Sequence, residues 1–351
     1  MKQDFIIYGC YGYTGKLISE LAVKAGLRPT LAGRDAKKVT ELASQLQLPY
    51  CVFNLDNEQD VINNIKHFKI VLHCAGPFSQ TAKPMANACL KAQTHYLDIT
   101  GEYQVFESIY NLDAEAKKAG ILMMPGVGFD VVPTDCLALY LKEQLPTAHT
   151  LELALYTKGG KLSQGTAMTV TENLGRPTMV RRNGKLQAVA NGRLTKQVPM
   201  EGKEKTGVAI SWGDISSGYR TTAIPNITVY NLLPEKLIRS MRMSNYIGFL
   251  LQWGPVQRYL ANQIKKRPAG PNEQQRQAAK SIIWGEVTDI GGKHVSALLE
   301  LPEGYTLTAL TAIKIVQNLL QTEPAPSSST PAATFGSNFI MQFEGVKRTL
   351  L

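Results

Sequence analysis

The chain has 351 residues, 44% hydrophobic and 19% charged, which excludes a disordered or fibrous protein and leaves room for two domains. Its five cysteines, at 10, 51, 74, 89 and 136, show no C-x-x-C spacing, so neither a disulfide framework nor a zinc ribbon is expected and a reducing cytoplasm is the expected setting. The net charge of +10 sits in the second part of the chain, because residues 1–150 hold 14 basic and 15 acidic side chains.

Taken in order, residues 5–8 form a short apolar run stopped by Gly9, and they read as a strand, not as a secretory leader. Residues 14–24 then place Leu17, Ile18, Leu21 and Ala22 on one helical face. Further apolar strands are predicted at 30–32, 50–53, 70–74, 95–99 and 121–124, with helices near 39–46, 58–66, 80–92 and 103–118 between them. Six short strands joined by helices predict an α/β fold, a doubly wound parallel sheet of the Rossmann type over residues 1–135.

After Pro133 the texture changes. A helix at 134–144 leads to an alternating strand at 150–156, and alternating segments follow near 185–199, 206–212, 219–232, 282–290 and 293–300. A helical pattern from 235 to 265 interrupts them, and a last helix is expected at 306–320. Residues 136–325 therefore read as an α+β mixed-sheet domain for substrate and dimerisation. The Pro- and Ser-rich stretch 322–329 reads as a mobile linker. Residues 326–351 are expected to return to the Rossmann domain, because Phe339, Ile340 and Phe343 need something folded to dock on.

Gly9, Gly12 and Gly15 follow the first strand with spacing G-x-x-G-x-x-G and open the first helix, with Tyr13 and Thr14 between the last two. Such a loop lets backbone N–H groups approach a pyrophosphate. Nineteen residues after Gly15, where an NAD enzyme places an acid on the ribose, stands Arg34, followed by Lys37 and Lys38. A guanidinium there suits a 2′-phosphate, so NADP is expected over NAD, with Asp35 as the counter-argument.

Gly12-Tyr13-Thr14-Gly15, Ala32-Gly33-Arg34, Gly76-Pro77-Phe78, the stretch 96–102 and the stretch 128–135 together resemble the saccharopine dehydrogenase-like oxidoreductases, a group that includes trans-acting enoyl reductases. The resemblance is specific over residues 4–136 and thinner beyond, and it departs at Cys10 and Tyr11, where the family carries small residues. Tyr11 must then point away from the pyrophosphate, or the cofactor sits slightly differently. The resemblance implies that Cys74, Ala75, Gly76 and Pro77 line the nicotinamide side of the cofactor, and that the substrate cleft lies between the domains.

No tyrosine has lysine four residues on, which excludes short-chain dehydrogenase chemistry, and the five histidines form no metal-binding pattern. Carboxylates gather at predicted strand ends instead. Glu102, Tyr103 and Asp130 are the candidates for orienting substrate or moving a proton, whereas Asp98 and Asp135 read as structural. Residues 236–267 combine basic side chains with the apolar run 246–256, which suits an acidic carrier protein, coenzyme A or an anionic membrane surface, or a core or dimer helix with a solvated basic face. Two functions follow. One is hydride transfer to a C=C or C=N substrate, including reduction of a carrier-bound acyl chain. The other is a non-catalytic protein that senses dinucleotide or binds a lipid surface.

Overall fold

The computed structural model describes residues 2–351, which divide into two compact units. The first comprises residues up to Val132 together with Tyr305–Thr334, and the second comprises Pro133–Gly304 and Phe335–Leu351.

The first unit alternates β1 (Gln3–Tyr8), α1 (Tyr13–Lys24), β2 (Thr30–Gly33), α2 (Ala36–Leu46), β3 (Tyr50–Val52), α3 (Glu58–Ile65), β4 (Phe68–His73), α4 (Phe78–Ala92), β5 (His95–Asp98), α5 (Tyr103–Tyr110), α6 (Asp113–Ala119) and β6 (Leu122–Met124). All its strand pairs are parallel. Helices cover both faces, so the central strands are buried on both sides: Phe5, Ile6, Ile7 and Tyr8 are each 3% exposed or less. The strand order is β3-β2-β1-β4-β5-β6, extended beyond β6 by a later strand. The connectivity reverses between β1 and β4, the point at which doubly wound sheets open a crevice.

The chain continues through α7 (Val132–Gln144), β7 (Thr150–Lys158), α8 (Gln164–Glu172), β8 (Thr178–Arg182), β9 (Lys185–Val189), β10 (Thr195–Met200) and β11 (Lys203–Ala209). It then forms α9 (Asp214–Thr222), β12 (Asn226–Leu232), α10 (Glu235–Leu251), α11 (Gly254–Lys265), α12 (Glu273–Ala278), β13 (Lys280–Thr288) and β14 (His294–Leu301). These strands build a mixed sheet in which β7 pairs in parallel with β12 and antiparallel with β13. Helix α7 packs so closely on it that a methyl at Gly285 would meet the Leu141 side chain at 2.8 Å. Residues 214–222, partly read as strand from the sequence, are helix α9: Ile215 is the one large apolar side chain among its buried residues, beside Asp214, Ser216, Ser217, Gly218 and Thr222, which is too little to show a helical period.

The end of the chain corrects two expectations. Helix α13 (Gly304–Gln321) belongs to the first unit, and β15 (Ser327–Ser328) adds to that unit's sheet in parallel with Leu122 and Met123 of β6. The stretch read as a linker is therefore partly a strand, held by the backbone and by Ser328, whose hydroxyl donates to Ile109 O at 2.9 Å. Past α14 (Pro331–Phe335), however, the chain does not stay with the Rossmann sheet. Phe339 and Ile340 are buried in the second unit, and β16 (Lys347–Leu350) pairs antiparallel with β14. Arg348 completes the docking, stacking its guanidinium 3.6 Å from the Tyr140 ring centroid. Deleting residues 335–351 should lower the thermal stability of the second unit and leave NADPH affinity within about twofold, because these residues belong to that unit and the glycine loop to the other. Scanning calorimetry beside a binding titration checks this, and a joint loss of both would return the tail to the cofactor.

Candidate active site at the carboxyl edge of the parallel sheet

The glycine loop is set by strand pairing. Gly9 and Cys10 donate their N–H groups to Ala32 O at 2.8 and 3.2 Å, and Gly12 N–H closes the turn on Gly9 O at 3.0 Å. Gly9 has φ +84°, and a Cβ there would meet Ala75 N at 2.7 Å, so this glycine is what lets β1 and the loop after β4 close on each other. A Cβ on Gly15 would collide with Gly9 O, which seats α1 on the loop. Gly12 is the N-cap of α1, with no side-chain cap and no acid in the first turn. A helix start so arranged has its dipole and N–H groups directed at an anion, and the loop fits a dinucleotide pyrophosphate. Tyr11 turns its ring onto Gly33, where a Cβ would lie 2.5 Å from the ring, with Lys38 Nζ 5.6 Å from the ring centroid. It points along the end of β2, away from the turn.

At that end of β2, Asp35 is already engaged. It caps α2 by accepting Lys38 N–H at 3.2 Å, and Lys38 Nζ lies 3.5 Å from its other oxygen. The backbone bond from Lys38 holds its carboxyl below the usual range. Arg34 is exposed and forms no hydrogen bond or ion pair with the described residues. At this corner the carboxylate is engaged by its own helix and the cation is exposed.

Across the switch point, Cys74, Ala75, Gly76 and Pro77 join β4 to α4, and the Gly76–Pro77 peptide is cis. His73 braces this loop: its Nε2 lies 3.0 Å from Thr81 Oγ1, whose hydroxyl donates to Ala75 O at 2.6 Å. That pattern assigns the ring proton to Nε2. Burial lowers the His73 pKa to about 3, so the ring stays neutral and serves packing against Phe78, Tyr8 and Tyr96. Cys74 is also buried, which pushes its thiol far above the usual range, and Cys10 is pushed up to about 12. Neither is a nucleophile.

The three candidate catalytic residues separate. Glu102 is buried and its two oxygens accept Phe78 N–H at 3.0 Å and Ser79 N–H at 2.9 Å, so it caps the first turn of α4 and pins the 74–77 loop. Tyr103 opens α5 and is half-buried. Asp130 lies on the loop after β6, so close to the loop after β5 that a Cβ on Gly101 would sit 2.6 Å from its Oδ2. Burial raises its pKa to about 7. Asp98, with a pKa raised by burial to about 6, is saturated by Tyr96 Oη at 2.6 Å, Thr100 N–H at 3.0 Å and Gly126 N–H at 2.9 Å. Asp135 begins α7 in the second unit and accepts from Thr221 Oγ1 at 2.5 Å. Among the described residues no cluster of His, Cys, Asp and Glu could hold a metal ion.

The returning helix α13 supplies residues that sequence reasoning missed. Thr308 Oγ1 accepts Phe129 N–H at 2.9 Å, Thr311 Oγ1 donates to Val127 O at 2.8 Å, and the Tyr305 ring meets Tyr13 edge-on at 5.0 Å. The Asp130 loop and the start of α1 thus both lean on a helix that follows the loop by 179 residues at the Phe129–Thr308 bond and lies farther still from Tyr13 in the chain. Hydroxyls at 308 and 311 on the buried face of an otherwise apolar helix were the available signal.

Residues 5–124, the span that contains the glycine loop, the switch point and the Arg34 corner, match the saccharopine dehydrogenase NADP binding domain family. A saccharopine dehydrogenase-like oxidoreductase of Bos taurus is 24% identical over 162 residues, 40% of this chain and 37% of that protein. A trans-acting enoyl reductase of Mycobacterium bovis is 28% identical over 140 residues, 38% of this chain and 34% of that protein. The matched part of the chain thus spans little more than a third of either relative. Saccharopine dehydrogenase (L-Glu forming) of Saccharomyces cerevisiae superposes with a TM-score of 0.67 over 99% of both chains at 12% identity, which shows a shared fold. The matched span includes the glycine loop and the 74–77 loop and ends before Asp130.

Proposed function

We propose that this chain is an NADP-dependent oxidoreductase that reduces a C=C or C=N bond, with a carrier- or coenzyme A-linked acyl chain as the substrate class that the enoyl reductase relative suggests. The observation that carries the reading is the β2 corner: Asp35 caps α2, and Arg34 stands exposed beside the glycine loop. Bound NADPH supplies a hydride from its nicotinamide ring. The chain's part is to hold the pyrophosphate on the N-terminus of α1, the 2′-phosphate on Arg34 and the nicotinamide end against residues 74–77. Glu102 holds that loop in place and is a positioning residue. Asp130, protonated in good part at neutral pH, is the group we assign to deliver the proton that must accompany hydride addition. A reducing, cytoplasmic setting suits the chain, whose five thiols all stand free.

Arg34→Ala should cost about 1.5–3 kcal/mol of NADPH binding, roughly 10- to 150-fold, and leave NADH affinity nearly unchanged. Calorimetric titration of both cofactors tests it, and equal affinities in the unsubstituted protein would remove the basis of the assignment. Turnover is tested by nicotinamide absorbance against a panel of enoyl thioesters and imines; oxidation of NADPH by none of them would sink the reductase reading.

Asp130→Asn should lower kcat about 100-fold or more and remove the limb of the pH profile near neutrality. It also has a stability signature. Because the folded pKa lies near 7 and that of the unfolded chain near 4, the folded state binds the extra proton between these values. Stability from this group is therefore lost as pH rises through that window. Asp130→Asn should match the unsubstituted protein near pH 4 and exceed it near pH 8 by about 1–2 kcal/mol, less than the full shift implies because the side chain is partly open to solvent. Melting curves across that range check the sign.

A further inference from the structure

We propose that the outer face of α10, together with the start of α11, lies flat on an anionic lipid surface. Helix α10 is 17 residues long, and Ile238 is the one buried residue among them. Its inner side is tied to the second unit by polar and close-backbone contacts. Arg242 Nε donates to Gly192 O and Asn245 Nδ2 to Asn191 O, both at 2.9 Å, and a Cβ on Gly248 would meet Gly175 O at 2.7 Å. Positions 238, 242, 245 and 248 form one stripe at helical spacing.

The opposite stripe runs through Met243, Tyr246, Ile247 and Leu250, spaced three, four and seven apart, and it faces solvent. These side chains are 60%, 77%, 43% and 47% exposed. One and two turns toward the N-terminus the same stripe carries Arg239 and Lys236. A shallow hollow of about 720 Å³ runs along this half of the helix, lined by both cations, Glu235 and Ser240 as well as Met243 and Ile247. At the Gly254–Pro255 break Trp253 is 60% exposed, and Tyr259 on α11 is similarly open. An apolar stripe of this size on a soluble helix marks an interaction surface.

Charge decides the occupant. Apart from Arg242 on the inner stripe, residues 235–267 contain six Lys and Arg and a single acid, Glu235, which lies 3.4 Å from Arg239 Nε. A second copy of the same face would set like charge against like. Residues 2–351 are all placed elsewhere, so no described segment of this chain can cover it. An anionic surface neutralises the cations, and Tyr246, Trp253 and Tyr259 are the ring types that settle at headgroup depth. No described helix is long and apolar enough to cross a membrane, so the contact is one of lying on the surface. The proposal is independent of the redox reading.

The test uses the full chain and vesicles of phosphatidylcholine alone or mixed with phosphatidylserine. We expect sedimentation with the mixed vesicles about tenfold stronger than with the neutral ones, and weaker as salt rises. Vesicles should shift tryptophan emission to shorter wavelength, a shift lost in Trp253→Phe and kept in Trp212→Phe. The pair Lys236→Glu with Arg239→Glu, and separately Tyr246→Ser with Leu250→Ser, should each cut binding about tenfold or more while the melting temperature holds. Absent binding at low salt, equal binding to both vesicle types, or binding untouched by both pairs would overturn the proposal. So would capture of an acidic acyl carrier protein by this face under conditions where vesicles stay free.

Discussion

Gly9→Ala is expected to lower the melting temperature of the first unit by about 6–15 °C, with or without cofactor present. Two costs combine. A methyl at φ +84° carries about 1–2 kcal/mol of backbone strain. The same methyl would stand 2.7 Å from Ala75 N and 2.8 Å from both Ala75 Cβ and Cys74 C, atoms at the end of a central strand that cannot swing aside. Overpacking of that kind adds about 1–3 kcal/mol. At about 3 °C per kcal/mol for a domain of this size, the sum gives the stated range. Scanning calorimetry decides, and a melting point within 2 °C of the original would mean that the β1–β4 approach is more yielding than described.

Gly12→Val should do the reverse, abolishing NADPH binding by calorimetry, a loss of about 100-fold or more, while the fold stays intact. Gly12 has φ −65° and ψ 160°, a conformation open to any residue, and a Cβ there meets only Gly9 O, at 3.3 Å. The dihedrals therefore give no reason for glycine at this position, and the contact with Gly9 O asks only a shift of a few tenths of an ångström. In the function proposed above the reason is the anion: a branched side chain over the first turn of α1 would fill the space a pyrophosphate must enter. The two glycines thus separate a demand of the fold from a demand of the ligand. Normal NADPH binding by Gly12→Val would show that the phosphates lie elsewhere.

The first six strands were legible because each central one is a short apolar run between turn residues, and because a parallel sheet buried on both faces needs just that composition. β15 was not, since Ser327 and Ser328 pair through their backbone inside a stretch whose Pro and Ser content says loop. α9 hid for the opposite reason, burying serines where a helical pattern calls for apolar side chains. In the site, the glycine loop could be read locally. Asp35 could be read two ways, and its bond to Lys38 N–H, three residues on, is the local capping pattern that settles its role. Glu102 could not be resolved from sequence, because the helix it caps begins 24 residues earlier in the chain. The support of the Asp130 loop by Thr308 spans still more.

That long reach has a consequence for how the protein is made. The chain leaves the first unit at Val132, returns to it at Tyr305 and leaves again at Thr334, so each unit is assembled from two separate segments. While the ribosome is extending the chain, a nascent Rossmann sheet has its glycine loop long before it has α13 to seat Phe129 and Val127 or β15 to cover the edge of β6. Domains that are contiguous in sequence can finish folding one after another as they emerge. Here neither unit can finish until synthesis has passed Thr334, and the second must also wait for β16. For most of translation the apolar surfaces that these late elements bury are open, which makes the nascent chain a natural client for chaperones and a poor candidate for expression as an isolated N-terminal half.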